Sequence, residues 1–431
     1  MNAKIPDQEA VDNSNDDNTH FDGVDLRALA CAIGTPSHVY SATAIRRRID
    51  QLHTALHGLD AELCFAVKAN SNLAILQLMN EAGVGADIVS AGELQRSLKA
   101  GIPATRIVFS GVGKSEDEIA TALRAGVSRF NVESYDELQM LQRIACTQQR
   151  IANAAVRINP DVDAQTHAKI STGRSENKFG VSIDEARRWF TASAHLSHVR
   201  LDGLHVHIGS QILSLEPYRL ALARVAAFWR ELMKAGHAVN SIDVGGGLGV
   251  CYRAGIDHPV AATDYVAAIR AALNGYHGKV LLEPGRWLVA EAGLLLTRVI
   301  RVKHGTTHDF LVLDAAMNDL ARPSLYDAWH DIVPVGGAPS RAMTMYDIVG
   351  PVCETGDTFA RARELPECAA GDLLMIKTSG AYGASMASTY NSRPLAAEAL
   401  LDHGRYAVVR RRQTIEEMII NEQAAQNWLT P

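Results

Sequence analysis

The sequence predicts an α/β protein: a closed (β/α)8 barrel followed by a smaller, mostly antiparallel β domain. Three observations predict it. Eight short apolar runs fall within about 250 residues, most of them separated by stretches of helical spacing. Ionisable and glycine-rich residues recur at the ends of these runs. After about residue 295 the helical stretches stop while strand-like runs continue, and such runs cannot extend a parallel barrel, which needs crossover connections.

Bulk properties narrow the function classes. The chain has 431 residues, too many for one ordinary core, with 47% hydrophobic and 21% charged residues, as in a globular protein. A net charge of -6 gives no basic footprint for nucleic acid. No apolar run approaches the roughly 20 residues that span a bilayer, and the N-terminus has no basic-then-apolar signal pattern, so the expectation is a cytoplasmic protein with no membrane partner. The six cysteines are scattered, which predicts reduced thiols rather than a disulfide framework or a zinc site.

Residues 1–24 read as a disordered tail, since the 13–19 stretch has almost nothing apolar to bury. Residues 25–40 hold a short helical pattern and a strand candidate at 37–40. The barrel is assigned to 41–295, beginning with the helical spacing of Ile45, Ile49, Leu52 and Leu56. Its strand candidates are 64–70, 86–90, 106–110, 129–133, 154–159, 203–209, 241–244 and 279–283. Amphipathic stretches at 72–82, 91–100, 116–126, 134–146, 183–193 and 217–236 supply crossover helices. An open, doubly wound sheet is the competing arrangement. The second domain, 296–431, has strand-like runs at 294–302, 310–314, 373–377 and 406–410, joined by loops containing Gly and Pro.

The chemistry begins with Lys68, at the end of the first strand candidate. A lysine in mid-strand would lose the hydration of its ammonium. At the strand end it projects into a pocket, where a depressed pKa would free the amine to form a Schiff base. Barrel sites lie at the C-terminal strand ends. His207, Ser210, Asp243, Gly245-Gly246-Gly247-Leu248-Gly249 and Glu283-Pro284-Gly285-Arg286 all fall there. Glycines let backbone N–H groups approach an anion, so this run with Ser210, Gly285 and Arg286 makes a phosphate cup. Its spacing is not the dinucleotide GxGxxG. A phosphate cup and a reactive lysine in one barrel point to pyridoxal 5′-phosphate. Glu283 is then the candidate partner of the pyridine nitrogen, and His207 the candidate to stack on the ring.

On these residues the chain resembles the fold-type III pyridoxal-phosphate-dependent decarboxylases from about residue 25 to 420. The motifs that carry the resemblance are Ala66-Val67-Lys68-Ala69-Asn70, His167-Ala168-Lys169-Ile170-Ser171-Thr172-Gly173 with Asn177-Lys178-Phe179-Gly180, His205-Val206-His207-Ile208-Gly209-Ser210-Gln211, Gly245-Gly246-Gly247, Glu283-Pro284-Gly285-Arg286, Cys353-Glu354-Thr355-Gly356-Asp357 and Gly380-Ala381-Tyr382-Gly383. The most similar branch acts on meso-2,6-diaminopimelate. The resemblance implies a carboxy-lyase that forms L-lysine and CO2, the last step of lysine biosynthesis. It implies that Lys68 carries the cofactor, that His207 stacks on the ring and that Glu283 pairs with the pyridine nitrogen. Ser210, Gly246, Gly247, Gly285 and Arg286 would surround the phosphate, and Tyr382 would reach both cofactor and substrate. Cys353 would protonate the carbanion, supplied by the partner subunit of a homodimer with shared active sites. Residues 25–40 would join the β domain.

The substrate's far end carries a carboxylate and an ammonium. A carboxylate favours a bidentate arginine, and Arg322 matches the family position, with Tyr326 adding a hydroxyl and Arg286 assisting. Glu354 would take the ammonium. A fold-type III decarboxylase of ornithine, arginine or carboxynorspermidine is the alternative; Arg322 and the Glu354-Thr355-Gly356-Asp357 run argue against it. A racemase would need a base opposite Lys68, usually a tyrosine, where this chain has Cys353. A non-catalytic relative would be expected to have lost Lys68 or Cys353.

Overall fold

The computed structural model describes residues 18–163, 178–337, 340–425 and 428. Residues 1–17 of the expected tail, the motif from His167 to Gly173, and Asn177 lie outside the described residues. The chain forms two compact units: one is Ala42–Ala292 with Gly380–Ser385, and the other comprises the residues before Ala42, Gly293–Ser379 and the chain from Met386 onward.

The first unit is a closed barrel of eight parallel strands. They are β1 (Ala61–Ala66), β2 (Gly85–Ile88), β3 (Ile107–Phe109), β4 (Arg129–Val132), β5 (Ala152–Arg157), β6 (Val199–His205), β7 (Ser241–Asp243) and β8 (Lys279–Leu282). Closure is made by β8 on β1, with Val280 opposite Ala61 and Leu282 opposite Leu63. Every strand is buried on both faces by the surrounding helices, which is why the sequence reads as continuous apolar runs rather than alternation.

The crossover helices start where a side-chain oxygen can take an orphan N–H. Asn72, Ser90, Ser115, Ser134 and Ser182 cap helices Leu73–Glu81, Ala91–Lys99, Glu116–Ala125, Tyr135–Thr147 and Ile183–Ala192. Ser115 and Glu118 form a reciprocal capping box. The seventh crossover is helix Ala262–Ala272, to which the sequence reading gave no helical pattern.

Two boundaries differ from the sequence reading in ways that matter for the site. The first strand ends at Ala66, and Val67–Ala69 forms one turn of 3-10 helix, so Lys68 is not a strand residue. The sixth ends at His205, so His207 lies beyond it.

The second unit is a nine-stranded sheet together with a two-stranded one, His20–Phe21 on Val24–Asp25; Phe21 and Val24 are buried, so this end of the expected disordered tail is ordered. Its central strand, Gly293–Lys303, pairs antiparallel with Ser37–Ser41, Asp309–Leu313 and Leu373–Ile376. Parallel pairing occurs between Asp309–Leu313 and Met343–Val349 and between Ser37–Ser41 and Ala397–Asp402; the remaining pairs are antiparallel. Leu295 packs into one core with Leu311, Leu313 and Ile348, while Leu294 and Leu296 pack into the other with Leu26, Leu29 and Val39. Helix Leu26–Ile33 covers the second face, capped by Asp25. Gly380–Ser385 is a correction to the assigned boundary: it belongs to the barrel unit, not to a 296–431 domain. No helix among the described residues is long and apolar enough to cross a membrane.

His38 lies in the middle of Ser37–Ser41 and is fully buried. Burial lowers its imidazole to about 4; Glu398 opposes the shift and Arg410 adds to it. An unfolded histidine takes up its proton near 6.5. Between these values only the unfolded chain binds the proton, so stability falls as pH falls from 6.5 toward 4, by about 3 kcal/mol over the full window. His38→Phe is expected to flatten this limb in denaturant unfolding measured between pH 7 and 4. A slope equal to that of the natural chain would show that His38 does not set it.

Candidate active site

The 3-10 turn that carries Lys68 is fixed by backbone bonds. The Asn70 N–H donates to the Val67 carbonyl at 3.0 Å, and the Tyr382 N–H donates to the Ala69 carbonyl at 2.8 Å. Asn70 Nδ2 donates to the Gly380 carbonyl at 3.0 Å. Lys68 Nζ donates to Asp87 Oδ2 at 2.8 Å, with the lysine side chain 40% exposed and Asp87 fully buried. Burial opposes the charge on Lys68, but Asp87, Glu283 and Tyr382 outweigh it and hold the amine above the ordinary lysine range. The expectation of a depressed Lys68 pKa is therefore overturned, because β2 brings a carboxylate under the amine. Burial and the Glu283 charge in turn push Asp87 up, with Lys68 pulling the other way. A lysine amine must shed a proton to react, and Asp87 is the acceptor in contact with it.

The barrel interior is apolar below this level, where Cys64, Val108 and Leu281 pack together. Above them it is polar. The even strands β2, β4 and β6 contribute Asp87, Asn131 and His205, and Glu283 follows β8, the alternate-strand layering of such barrels. Glu283 Oε2 lies 3.2 Å from His205 Nε2, and Oε1 accepts from Ser110 Oγ at 3.3 Å and Asn131 Nδ2 at 3.2 Å. Burial opposes ionisation of Glu283, but the charge and hydrogen bond of His205, with the charge of Lys68, hold it well below the usual carboxylate range. Asp243 is beside it, with the nearest donor atoms of His205, Asp243 and Glu283 within 4.8 Å of one another. Burial and the Glu283 charge push Asp243 well up. Of these two carboxyls, Glu283 is the one held toward its ionised form and Asp243 the one pushed toward its neutral form.

His207 Nδ1 accepts the Gly246 N–H at 3.2 Å, which leaves a neutral ring with its proton on Nε2. Burial, Arg157 and Lys68 hold His207 well below its ordinary pKa. The glycine run is packed to contact. A Cβ on Gly246 would sit 2.2 Å from the Glu283 carbonyl oxygen, and one on Gly247, whose φ is +99°, would sit 2.4 Å from the Gly209 carbonyl oxygen. The 209–213 loop, which contains Ser210, is knitted to this run. The Ile212 N–H donates to Gly247, the Gly249 N–H donates to Ile212, and the Gln211 amide exchanges bonds with Val250. Gly285 faces Ala66 and Ala69, where a Cβ would come within 3.0 and 3.1 Å. Arg286 Nη1 donates to the Tyr252 hydroxyl at 2.6 Å, and its guanidinium lies 4.7 Å from the Tyr382 ring centroid. Tyr382 has a left-handed backbone, φ +56°. These residues fit pyridoxal phosphate: a glycine cradle beside an arginine suits the phosphate, and an ionised buried carboxylate suits a protonated ring nitrogen.

The sequence-derived residues Arg322, Tyr326, Cys353 and Glu354 lie in the second unit. Arg322 opens the short helix Arg322–Tyr326 and is buried. Its Nη1 is 2.7 Å from His330 Nε2. Ser324 Oγ donates to the Gly356 carbonyl at 2.6 Å, which ties this helix to the Cys353 loop. Asp357 holds that loop from inside, accepting from the N–H groups of Met317 and Val352. Cys353 is exposed, and its N–H donates to Asn391 Oδ1 at 2.9 Å. Glu354 pushes the Tyr390 hydroxyl above its ordinary pKa.

Sequence reasoning gave no role to Asp87, Ser110, Asn131, His205 or His330. The first four carry one usable signal: polar residues within apolar strand runs, or directly after one, at barrel-interior register.

A model of the family described as "Pyridoxal-dependent decarboxylase, pyridoxal binding domain" matches residues 42–290. The chain is 48% identical over 404 residues to a diaminopimelate decarboxylase of Pseudomonas aeruginosa, covering 93% of this chain and 96% of that one. It is 45% identical over 409 residues to one of Zymomonas mobilis, covering 94% and 96%. Among solved structures it is similar to the diaminopimelate decarboxylase of Helicobacter pylori complexed with L-lysine, with TM-score 0.88, 43% identity and coverage of 92% and 98%. The enzyme from M. jannaschii in complex with L-lysine aligns with TM-score 0.90 and 34% identity, covering 95% and 97%.

Gly246→Ala is expected to displace the strand end that carries Glu283, because neither backbone can move without breaking the barrel ladder. The expected loss is about 1–3 kcal/mol of stability, together with cofactor retention. Thermal melting and the bound-cofactor absorbance after gel filtration check it.

Proposed function

The chain belongs to the pyridoxal-dependent decarboxylases, and from that premise we propose how its own residues carry out the reaction. It decarboxylates meso-2,6-diaminopimelate to L-lysine and CO2. The observation that carries the reading is the placement, at one barrel mouth, of the Lys68 amine and of a Glu283 carboxylate kept ionised despite burial.

Pyridoxal phosphate, when bound, supplies a ring that takes up the electron pair left as the Cα–carboxylate bond breaks. Lys68 Nζ is its covalent anchor, and Asp87 accepts the proton the amine gives up. Glu283 keeps a proton at the pyridine nitrogen, and His205, Ser110 and Asn131 orient its oxygens. The neutral His207 ring would lie against the cofactor ring. Ser210, Gly246, Gly247, Gly285 and Arg286 would bind the phosphate, and Tyr382 would touch cofactor and substrate. Arg322, Tyr326 and Arg286 receive the distal carboxylate, and Glu354 the distal ammonium. Ornithine and L-lysine have a single carboxylate; placed as substrates with it at the reacting carbon, they would leave Arg322 facing a bare cation.

The Cys353 thiol delivers the proton that replaces CO2. We propose that it acts in the site of the other subunit of a homodimer, in the cytoplasm. The support is its exposure on its own chain, since a proton donor works where water is excluded.

CO2 release is expected from meso-diaminopimelate and not from L-ornithine, L-arginine or L-lysine; release from ornithine or arginine would overturn the role of Arg322. Cys353→Ala is expected to fold and retain cofactor while turnover falls by roughly 10²–10⁴. Neither Lys68→Ala nor Cys353→Ala homodimers should be active. Mixing the two variants should restore about a quarter of the activity if the sites are shared across a two-fold axis, and none if each chain is self-sufficient.

A further inference from the structure

We propose that His330 is a positioning residue for substrate specificity: its neutral imidazole fixes the direction in which the Arg322 guanidinium meets the distal carboxylate. The inference rests on the reading of Arg322 given above.

Two contacts define the state of this ring. His330 Nδ1 is 2.8 Å from the Lys377 carbonyl oxygen, which can only accept, so Nδ1 carries a proton. Nε2 is 2.7 Å from Arg322 Nη1, and a guanidinium can only donate, so Nε2 carries none. One tautomer and one charge state satisfy both. Both side chains belong to buried residues, His330 at 1% and Arg322 at 6% exposure, so water does not substitute for either bond.

The imidazole is held by rigid structure. His330 lies just before strand Ile332–Pro334, which pairs with Leu373–Ile376 through Ile332 opposite Ile376. The Lys377 N–H donates to the Asp331 carbonyl at 2.8 Å, extending that ladder beside the ring. From the other side Arg363 Nη1 donates to the His330 carbonyl at 3.1 Å, while its guanidinium lies 3.5 Å from the Trp329 ring centroid. The ring is therefore held independently of its contact with Arg322.

The choice of a neutral acceptor has a chemical consequence. A carboxylate in the place of His330 would hold Arg322 as well, but would neutralise it. The imidazole orients the guanidinium by a hydrogen bond without itself neutralising it.

The test separates the two bonds of the ring. His330→Asn places an amide N–H where Nδ1 was and has no acceptor at the reach of Nε2. His330→Gln places an amide oxygen at that reach and gives up the Lys377 bond. L-Lysine keeps the distal carboxylate of the substrate, and 1,5-diaminopentane does not. Both are titrated calorimetrically into the holoenzyme of each variant and of Arg322→Gln, and KM and kcat for meso-diaminopimelate are measured in parallel. The expectation is that His330→Asn weakens L-lysine about tenfold, the scale of one hydrogen bond to a charged group, and raises KM more than it lowers kcat. Diaminopentane should bind as before, and His330→Gln should hold L-lysine within about threefold of the natural chain. If Arg322→Gln weakens L-lysine but His330→Asn does not, the positioning role of His330 is wrong and the reading of Arg322 stands. If Arg322→Gln leaves L-lysine binding unchanged, both fall. Equal losses for L-lysine and diaminopentane, or a larger defect in Gln than in Asn, would mark a structural role only and overturn the proposal.

Discussion

A carboxylate kept ionised inside a barrel is the constraint on which the rest of the site depends. Glu283 is about as buried as a core leucine, and burial alone would neutralise it. His205, Ser110 and Asn131 prevent this by directing donors at both its oxygens. The cost passes to the neighbours: Asp243 and Asp87 are both pushed up, by burial first and by the Glu283 charge second. The level below, with Cys64, Val108 and Leu281, is packed as an ordinary core. Stability and chemistry are thereby assigned to different heights of one cylinder.

Close backbone approach is the second requirement. Gly246 and Gly247 lie against carbonyl oxygens of the strand and loop beside them, at separations no other residue permits. The same glycine run bonds His207 through the Gly246 N–H, so the ring tautomer and the cradle are set by one contact. In the second unit, Asp357 has the corresponding role for the Cys353 loop. It takes N–H groups from Met317 and Val352, and Gly350 lies so close that a Cβ there would fall 2.3 Å from its carboxylate.

Much of this was legible in the sequence, for identifiable reasons. Barrel strands buried on both faces announce themselves as apolar runs, and serine or asparagine caps mark where the helices begin. Lys68, His207, Glu283 and the glycines were recognisable because they interrupt such runs at their ends. What stayed hidden depends on pairing across the chain. The charge state of Lys68 is decided by Asp87 on the next strand, and nothing local to Lys68 reveals it. His205 is two residues from His207, yet one points into the barrel at Glu283 and the other lies beyond the strand. In the second unit, Met343–Val349, Thr358–Pro366 and Ala397–Asp402 escaped notice. The first two mix exposed and buried positions without strict alternation, and the third carries the buried Glu398, which takes the Tyr40 hydroxyl and would read as a surface residue.

The segment Gly380–Ser385 has a consequence for how the protein is made. Its backbone bonds to Ala69 and Asn70, the two residues that follow Lys68. A ribosome that has finished the eighth strand still has roughly a hundred residues to add before this segment exists. Through that interval the nascent barrel can have all its strands but not the turn that sets Lys68. A chain that stops short of Gly380 therefore lacks the partners of the Ala69 carbonyl and the Asn70 amide.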